Sequence, residues 1–528
     1  MKTKVIIYFA LLVFVVSCQS VEQYNKHRET SISVQKLQED VNYVQKTLYK
    51  LHPSTNLYIS KEALDSKFDS IRRVITQPLT PNEFQLLIAP VIASVHQGHM
   101  YINPLYKKYT KKEQKQFKKM GDGPITQLGY EWIDNKLVLL KNKTTDKSIK
   151  LGSEIISIKS VKPIDLYQKY YKTLTSDGYN TTYIRKAFGK RFSSYLIENI
   201  GINDSVEVVF QYKDSVYIKC IKRLQKENKV ATKSVAKNDN LNPKENKNNS
   251  KKESTNKIKK NKKIYGFDAS KNEYVKSLKF ITKDSTTAYL KILNFSTGRY
   301  KKAYGKIFDS IQKRGCKTLI LDLRDNPGGR ISEIVNLYGY FTSSNYTLTQ
   351  PAIVTSKTSL WHIDLFSRIP KIAYPVAGVF YPVYITYTYL ATQKQATGVY
   401  TYKLESAYEE QSKANAFKGK MYVLINGGSF SASCLLSSAL KSRENVVFVG
   451  EETGGDFNGT VAGFMPIKKL PNSKLPWRLG LMDIRPVNQT NTKGHGIYPD
   501  IPLIPTVQDK LKNIDVELNW IINDIEKK

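Results

Sequence analysis

The chain has 528 residues, a formal net charge of +36, 41% hydrophobic residues and 11% aromatic residues. That length exceeds one ordinary domain and the apolar fraction is globular, so a fibrous or wholly disordered chain is excluded and two or three cores are expected. The positive charge invites a nucleic-acid reading. A concentrated share of it falls in the Lys/Asn/Ser stretch from Lys226 to Lys263, no nucleic-acid motif accompanies it, and no nucleic-acid partner is expected.

The chain opens with Met-Lys-Thr-Lys, an apolar run from Val5 to Val16, and then Ser17-Cys18. A basic start before an apolar run too short to span a bilayer predicts an export signal over 1–17. Val15-Val16-Ser17-Cys18 resembles a bacterial lipobox, which implies that Cys18 becomes the lipidated N-terminus; an ordinary signal peptide with an incidental Cys is the alternative. Several acyl chains would hold the protein firmly, at roughly 0.8 kcal/mol per buried methylene. The implied setting is the bacterial cell envelope, with a membrane-anchored lipoprotein on its periplasmic or surface face and residues 18–30 as a tether. No later stretch reads as a transmembrane helix. Cys220, Cys316 and Cys434 are scattered, so no disulfide framework is expected, and without a CxxC or His/Cys cluster no metal is expected either.

From 31 to 104 apolar residues recur at helical spacing, as in Leu37, Val41, Val44 and Leu48, with Pro53, Pro78 and Pro81 as punctuation, which predicts about three helices. From 105 to 225 the pattern turns to short alternating segments around Leu137–Leu140, Ile155–Ile158 and Val206–Phe210, which read as strands. Leu151-Gly152-Ser153-Glu154-Ile155 resembles the Gly turn that leads into a strand of PDZ domains, which take a peptide end by adding it to a sheet edge. A generic small β-domain fits the same residues. The 226–263 stretch is too polar and charged to form a core and predicts a disordered linker.

From 264 to 528 strands and helices alternate: strand Thr287–Ile292, helix Tyr304–Arg314, and buried strands at Thr318–Leu323, Met421–Ile425 and Val446–Val449. The fold class expected is α/β, a multidomain chain with a mostly parallel sheet whose helices carry the reactive residue. Asn426-Gly427-Gly428-Ser429-Phe430-Ser431 is a Gly-rich turn between a buried strand and a helix. A Ser there exposes its hydroxyl beside backbone N–H groups that can hold a developing oxyanion. It lacks the final Gly of the Gly-x-Ser-x-Gly elbow.

Three stretches resemble the tail-specific (C-terminal-processing) serine proteases: Leu321-Asp322-Leu323-Arg324-Asp325-Asn326-Pro327-Gly328-Gly329, Ser431-Ala432-Ser433, and Gly496-Ile497-Tyr498-Pro499-Asp500. The resemblance implies Ser431 as nucleophile, the N–H groups of Gly329 and Ala432 as oxyanion hole, no cofactor, and unstructured polypeptide ends as substrates. Asp456 stands where many members carry a catalytic Lys, and Lys441 lies too far along its helix to replace it. His96-Gln97-Gly98-His99 and Gly450-Glu451-Glu452-Thr453-Gly454-Gly455 resemble the tricorn-like branch, which implies His99 as general base, with His96 competing. That branch has a Glu where Lys493 stands, so the acid that orients the His is open among Asp456, Glu451, Glu452 and Asp500. Asp322 and Arg324 read as a structural ion pair or strand-end fixture, His52 and His495 as structural or as contacts near the substrate, and Cys434 as a buried apolar residue. A catalytically inactive peptide-binding lipoprotein on the same fold, and an adhesin acting through 226–263, are the competing functions.

Overall fold

The computed structural model describes residues 20–225, 247–363 apart from 283 and 285, 369–370 and 373–527. The export signal and Cys18 lie outside the described residues, as does the 226–246 part of the expected linker.

The described residues open with four helices, Val21–Glu29, Val34–Leu51, Lys61–Val74 and Pro81–Ala93. In the second, Leu37, Val41, Val44, Leu48 and Leu51 repeat at three- and four-residue steps and all are buried. Thr80 and Glu83 form a capping box for the fourth, with Pro81 in its first turn. The segment expected as a tether is helical over Val21–Glu29: Ser20 and Gln23 cap it reciprocally, and Arg28 Nε donates to the Leu105 carbonyl at 2.8 Å. Local capping and docking thus replace a free leash.

A five-stranded antiparallel sheet follows, in the order Leu128–Ile133, Lys136–Asn142, Glu154–Ile158, Ser205–Tyr212, Ser215–Lys222. Helices Pro163–Tyr170 and Thr182–Ile200 pack on it, and Trp132, Leu139, Ile158, Phe188, Phe192 and Phe210 belong to a core of its own. The strand after the Gly152 turn, Glu154–Ile158, is interior, so an added peptide would have to pair with one of the outer strands. Helix Thr182–Ile200 escaped the sequence reading because its buried Phe188, Phe192 and Leu196 are interleaved with Lys and Arg.

The expected disorder over 247–263 is corrected as well. That stretch is part of a helix, Lys247–Tyr265, whose end is pinned by buried Ile264 and by the Arg299 N–H on the Ile264 carbonyl at 2.8 Å.

Beyond it lies a six-stranded sheet in the order Ile501–Pro502, Val446–Gly450, Lys420–Ile425, Thr318–Asp322, Thr287–Ile292, Lys276–Phe280. It is parallel except for the last pair. Its central strands are apolar on both faces because both are covered. Leu319, Leu321, Val423 and Ile425 share one core with the N-terminal helices, while Ile320, Tyr422 and Leu424 meet Ile521 of helix Val516–Glu526. The mixed α/β architecture with a mostly parallel sheet is therefore present.

Candidate active site

Strand Lys420–Ile425 ends in a turn fastened from both sides. Gly428 N–H donates to Asn426 Oδ1 at 2.9 Å, Ser429 Oγ donates to the Leu323 carbonyl at 2.7 Å, and Phe430 N–H donates to the Asn326 carbonyl at 3.0 Å. These bonds hold Ser431 at φ 58°, ψ −119°, immediately before helix Ala432–Lys441. A non-glycine residue on that side of φ is strained and persists only where its surroundings over-determine it. The strain lifts the hydroxyl out of the turn although the Gly-x-Ser-x-Gly pattern is incomplete.

The segment Gly328–Gly329 runs beside it. Phe295 N–H donates to the Gly328 carbonyl at 2.9 Å and Arg330 N–H to the Phe295 carbonyl at 2.8 Å, a pairing that does not use the N–H of Gly329. Gly328 has φ +89°, and a Cβ there would lie 2.7 Å from Ala432 N and 2.9 Å from Ser431 Cβ. Only a residue without a side chain lets the two backbones approach this closely. Gly329 and Ala432 line the same cavity as Ser431, with Ala432 at the start of a helix.

His99 comes from 332 positions away and places Nε2 at 2.9 Å from Ser431 Oγ. Its loop is stitched to the catalytic layer by Tyr101–Ile102, which pairs antiparallel with Pro476–Arg478. The imidazole meets the Phe430 ring edge-on at 4.8 Å between centroids. Burial, with the Arg478 guanidinium adding to it, pushes His99 down to about 3, so the ring is neutral and able to accept a proton. His96, the competing base, packs edge-on between Tyr58 and Tyr179 instead.

The acids considered for orienting His99 are engaged elsewhere. Asp456 accepts from Tyr58 Oη and from Asn458 N–H, and burial raises its carboxyl. Glu451 binds Arg185 at 3.1 Å and Gly427 N–H at 3.2 Å, so it ties the middle sheet's long helix to the nucleophile turn rather than orienting the imidazole. Glu452 accepts from Gly496 N–H at 2.8 Å, and Asp500 pairs with Lys441 and Phe448 N–H. The Asp322–Arg324 pair extends to Asp515, fastening the C-terminal helix. His52 is buried and pushed down to about 3; His495 bonds Tyr498 Oη at 2.8 Å. Cys434 is buried, its thiol pushed up to about 12.

What holds the His99 loop is a residue the sequence reading missed. Asp177 is buried and accepts from Gly98 N–H at 2.7 Å and Thr460 Oγ1 at 3.2 Å. Its neighbour Gly178 N–H donates to the His96 carbonyl at 2.9 Å. Burial, followed by the nearby Asp456 and Asp483 charges, pushes the Asp177 carboxyl up to about 7 against the lowering effect of those bonds. Nothing in the local sequence distinguishes Asp177 from an ordinary turn aspartate before Gly178.

Beside Ser431 opens a cavity of about 380 Å³. Leu435, Ala462, Phe464, Met465, Met482 and Ile484 make most of its wall apolar, with Gly329 and Ala432 at the reactive end. Among the described residues no group of three or more His, Cys, Asp or Glu is arranged to hold a metal ion.

Residues 286–503 match the profile of Peptidase family S41. The match makes this region similar to that family. The S41 region contains Gly329, Ser431 and Ala432, while His99 is contributed from outside it. Over 179 residues the chain is 26% identical to the carboxy-terminal processing protease CtpA of Bacillus subtilis (strain 168), covering 34% of this chain and 28% of CtpA, well under two thirds of that relative's length. Among solved structures, mature CPAF superposes with a TM-score of 0.57 at 13% identity, covering 92% of this chain and 96% of CPAF. Mature CPAF complexed with lactacystin gives 0.58 at 13% identity, covering 93% and 98%. At that identity the likeness to CPAF is one of fold, and it extends over the helical and middle-sheet regions as well as the S41 region.

Proposed function

We propose that the chain is a serine endopeptidase that hydrolyses polypeptides by acyl transfer through Ser431 and His99. The observation that carries this reading is the neutral His99 imidazole 2.9 Å from a hydroxyl held out on a strained turn. His99 Nε2 takes the Ser431 proton as Oγ attacks the peptide carbonyl, and the Gly329 and Ala432 amides receive the oxyanion. The proton passes to the leaving amine, which departs; water, deprotonated by the same nitrogen, then releases the acyl group and regenerates Ser431. The imidazole is oriented by packing on Phe430 and by the Asp177 clamp on its loop rather than by a carboxylate on the ring. The apolar cavity accepts an apolar side chain next to the scissile bond, since a desolvated wall favours apolar and rejects charged groups. Unstructured polypeptide ends in the envelope fit an open cleft, with Cys18 as the lipid anchor and the middle sheet as a module that adds a peptide strand at its edge.

Reaction with a fluorophosphonate probe, paired with cleavage of an unfolded polypeptide, tests the proposal. Wild type is expected to label and cleave at neutral pH. Ser431→Ala should do neither, and His99→Ala should lose about 10²–10⁴-fold in rate. Cleavage by Ser431→Ala at the wild-type rate would overturn the assignment. Peptide binding by a wild type that neither labels nor cleaves would favour the inactive binder, the reading that Lys493 in the place of the branch's acid supports.

A further inference from the structure

Helix Tyr374–Ala391 has no Lys, Arg, Asp, Glu or His, yet it stands on the surface. Its inner side is tied down by hydroxyls: Tyr381 Oη donates to the Trp361 carbonyl at 2.8 Å and Tyr384 Oη to the Leu360 carbonyl at 2.9 Å, while Thr388 is buried. The outer side is a stripe of Val376, Val379, Phe380, Val383, Tyr387 and Leu390, each between 60% and 72% exposed. At 1.5 Å per residue the stripe runs about 21 Å along the axis. A continuous apolar face of that length marks a contact with something other than water. No described helix is long and apolar enough to cross a membrane.

We infer that this stripe is a membrane-docking element that lies flat in the headgroup and upper acyl region of an anionic bilayer. The inference rests on the envelope placement proposed above. Two observations choose the bilayer over a second copy of the chain. The first is charge. A net +36 repels an identical molecule at close range and draws the protein to anionic headgroups. Lys357 Nζ lies 4.8 Å from the centre of the Tyr389 ring, placing an ammonium beside the helix's C-terminal end, and Lys394 follows three residues after it.

The second is where the chain emerges. Ser20, which caps the first described helix, follows Cys18 by two residues, and two extended residues span about 7 Å at most. The helix they lead into is docked, with His27 Nε2 bonded to the Ser473 carbonyl at 3.1 Å in the turn of the hairpin Ile467–Lys469 and Pro476–Arg478. At its other end this hairpin begins just after Phe464, whose ring meets that of Tyr384 at 6.0 Å. A lipid on Cys18 therefore holds the body itself near the bilayer, with the apolar helix joined to the same hairpin. Because Phe464 and Met465 also line the cavity beside Ser431, docking sets the mouth of the cleft close to the lipid surface and favours membrane-proximal polypeptide segments as substrates.

The test uses the mature chain from residue 19, without lipid, and flotation with vesicles of 70% phosphatidylcholine and 30% phosphatidylglycerol. Wild type is expected to co-float about tenfold more than a Val379→Asp/Val383→Asp variant, and to bind pure phosphatidylcholine more weakly. Equal fluorophosphonate labelling of the two proteins keeps this outcome separate from the protease proposal, which is decided by labelling and cleavage and not by flotation. The inference is overturned if wild type stays off the anionic vesicles or if the double variant floats equally well. It is also overturned if sedimentation finds a wild-type dimer that the aspartates dissociate, since a second copy then covers the face. Phe380→Trp is a gentler probe: its added emission should shift to the blue with anionic vesicles, and no shift counts against docking.

Discussion

The fold shifts the ionisation of His99 and of Asp177, which holds its loop, in opposite directions. His99 and the buried His52 are both held near 3, below the ordinary histidine value. The unfolded chain therefore takes up protons between about pH 6.5 and 3 that the folded chain refuses, and stability is lost as pH falls through that window. Activity should show the same displacement: kcat/KM is expected to stay level from pH 8 to about 5, where an unperturbed imidazole would be mostly protonated. A fall centred on pH 6.5 would contradict a buried neutral base. Asp177 is raised to about 7, so between about pH 3.8 and 7 the folded state holds a proton that the unfolded state has released. That contribution weakens the fold as pH rises. Asp177→Asn keeps the acceptor for Gly98 N–H and removes the buried charge. It should be more stable than wild type at pH 8, on the order of 2–4 kcal/mol, with the difference closing near pH 4 in denaturant titrations. Asp177→Ala removes the acceptor and should lower kcat, while Asn preserves it.

The nucleophile turn and the Gly328–Gly329 segment act as one element made of two distant pieces of chain. Gly328→Ala puts a methyl group 2.7 Å from both Ala432 N and the Phe430 carbonyl at a φ of +89°. The Gly328–Gly329 and Ser431–Ala432 backbones must then separate; with the oxyanion role proposed for the Gly329 and Ala432 amides, kcat should fall by about 10²-fold with KM little changed, measured by steady-state cleavage. A fall confined to KM would place the defect in substrate binding. Strand Tyr101–Ile102 does for His99 what the turn does for Ser431, delivering the imidazole at a fixed register against Pro476–Arg478. The strand–turn–helix around Ser431 was legible from sequence because its parts are contiguous and its Gly pattern is local. Helix Val21–Glu29 was not, because a nine-residue helix without a buried face is held by caps and by docking rather than by periodicity.

At the scale of the molecule, the N-terminal helices and the six-stranded sheet share one core, whereas the middle sheet has its own. Arg185–Glu451, Lys186–Asp325 and Lys510–Glu131 tie the middle sheet to the catalytic layer with ion pairs, each having at least one partner more than a third exposed. Exposed pairs contribute little, about 0–1 kcal/mol each. Unfolding should therefore resolve into two transitions, one for the middle sheet and one joint transition for helices and six-stranded sheet. Fluorescence of Trp132 and Trp477, each in a single-tryptophan background, reports the two separately. Coincident transitions would mean that the buried contacts across the boundary, Asp177 with Gly98 and Thr460 and the Tyr183 ring stacked on Phe430, couple the two cores where the exposed ion pairs do not.

By itself the sequence determined the α/β class, the buried strands and Ser431 at a strand-to-helix turn, because each rests on residues close together in the chain. Its resemblances also pointed to His99. Tertiary structure alone decided that the His99 ring reaches Ser431, that Asp177 holds its loop while Glu451 and Asp456 are bound elsewhere, and that an uncharged helix is left uncovered. Those outcomes depend on burial and on contacts between segments hundreds of residues apart, which no local pattern encodes.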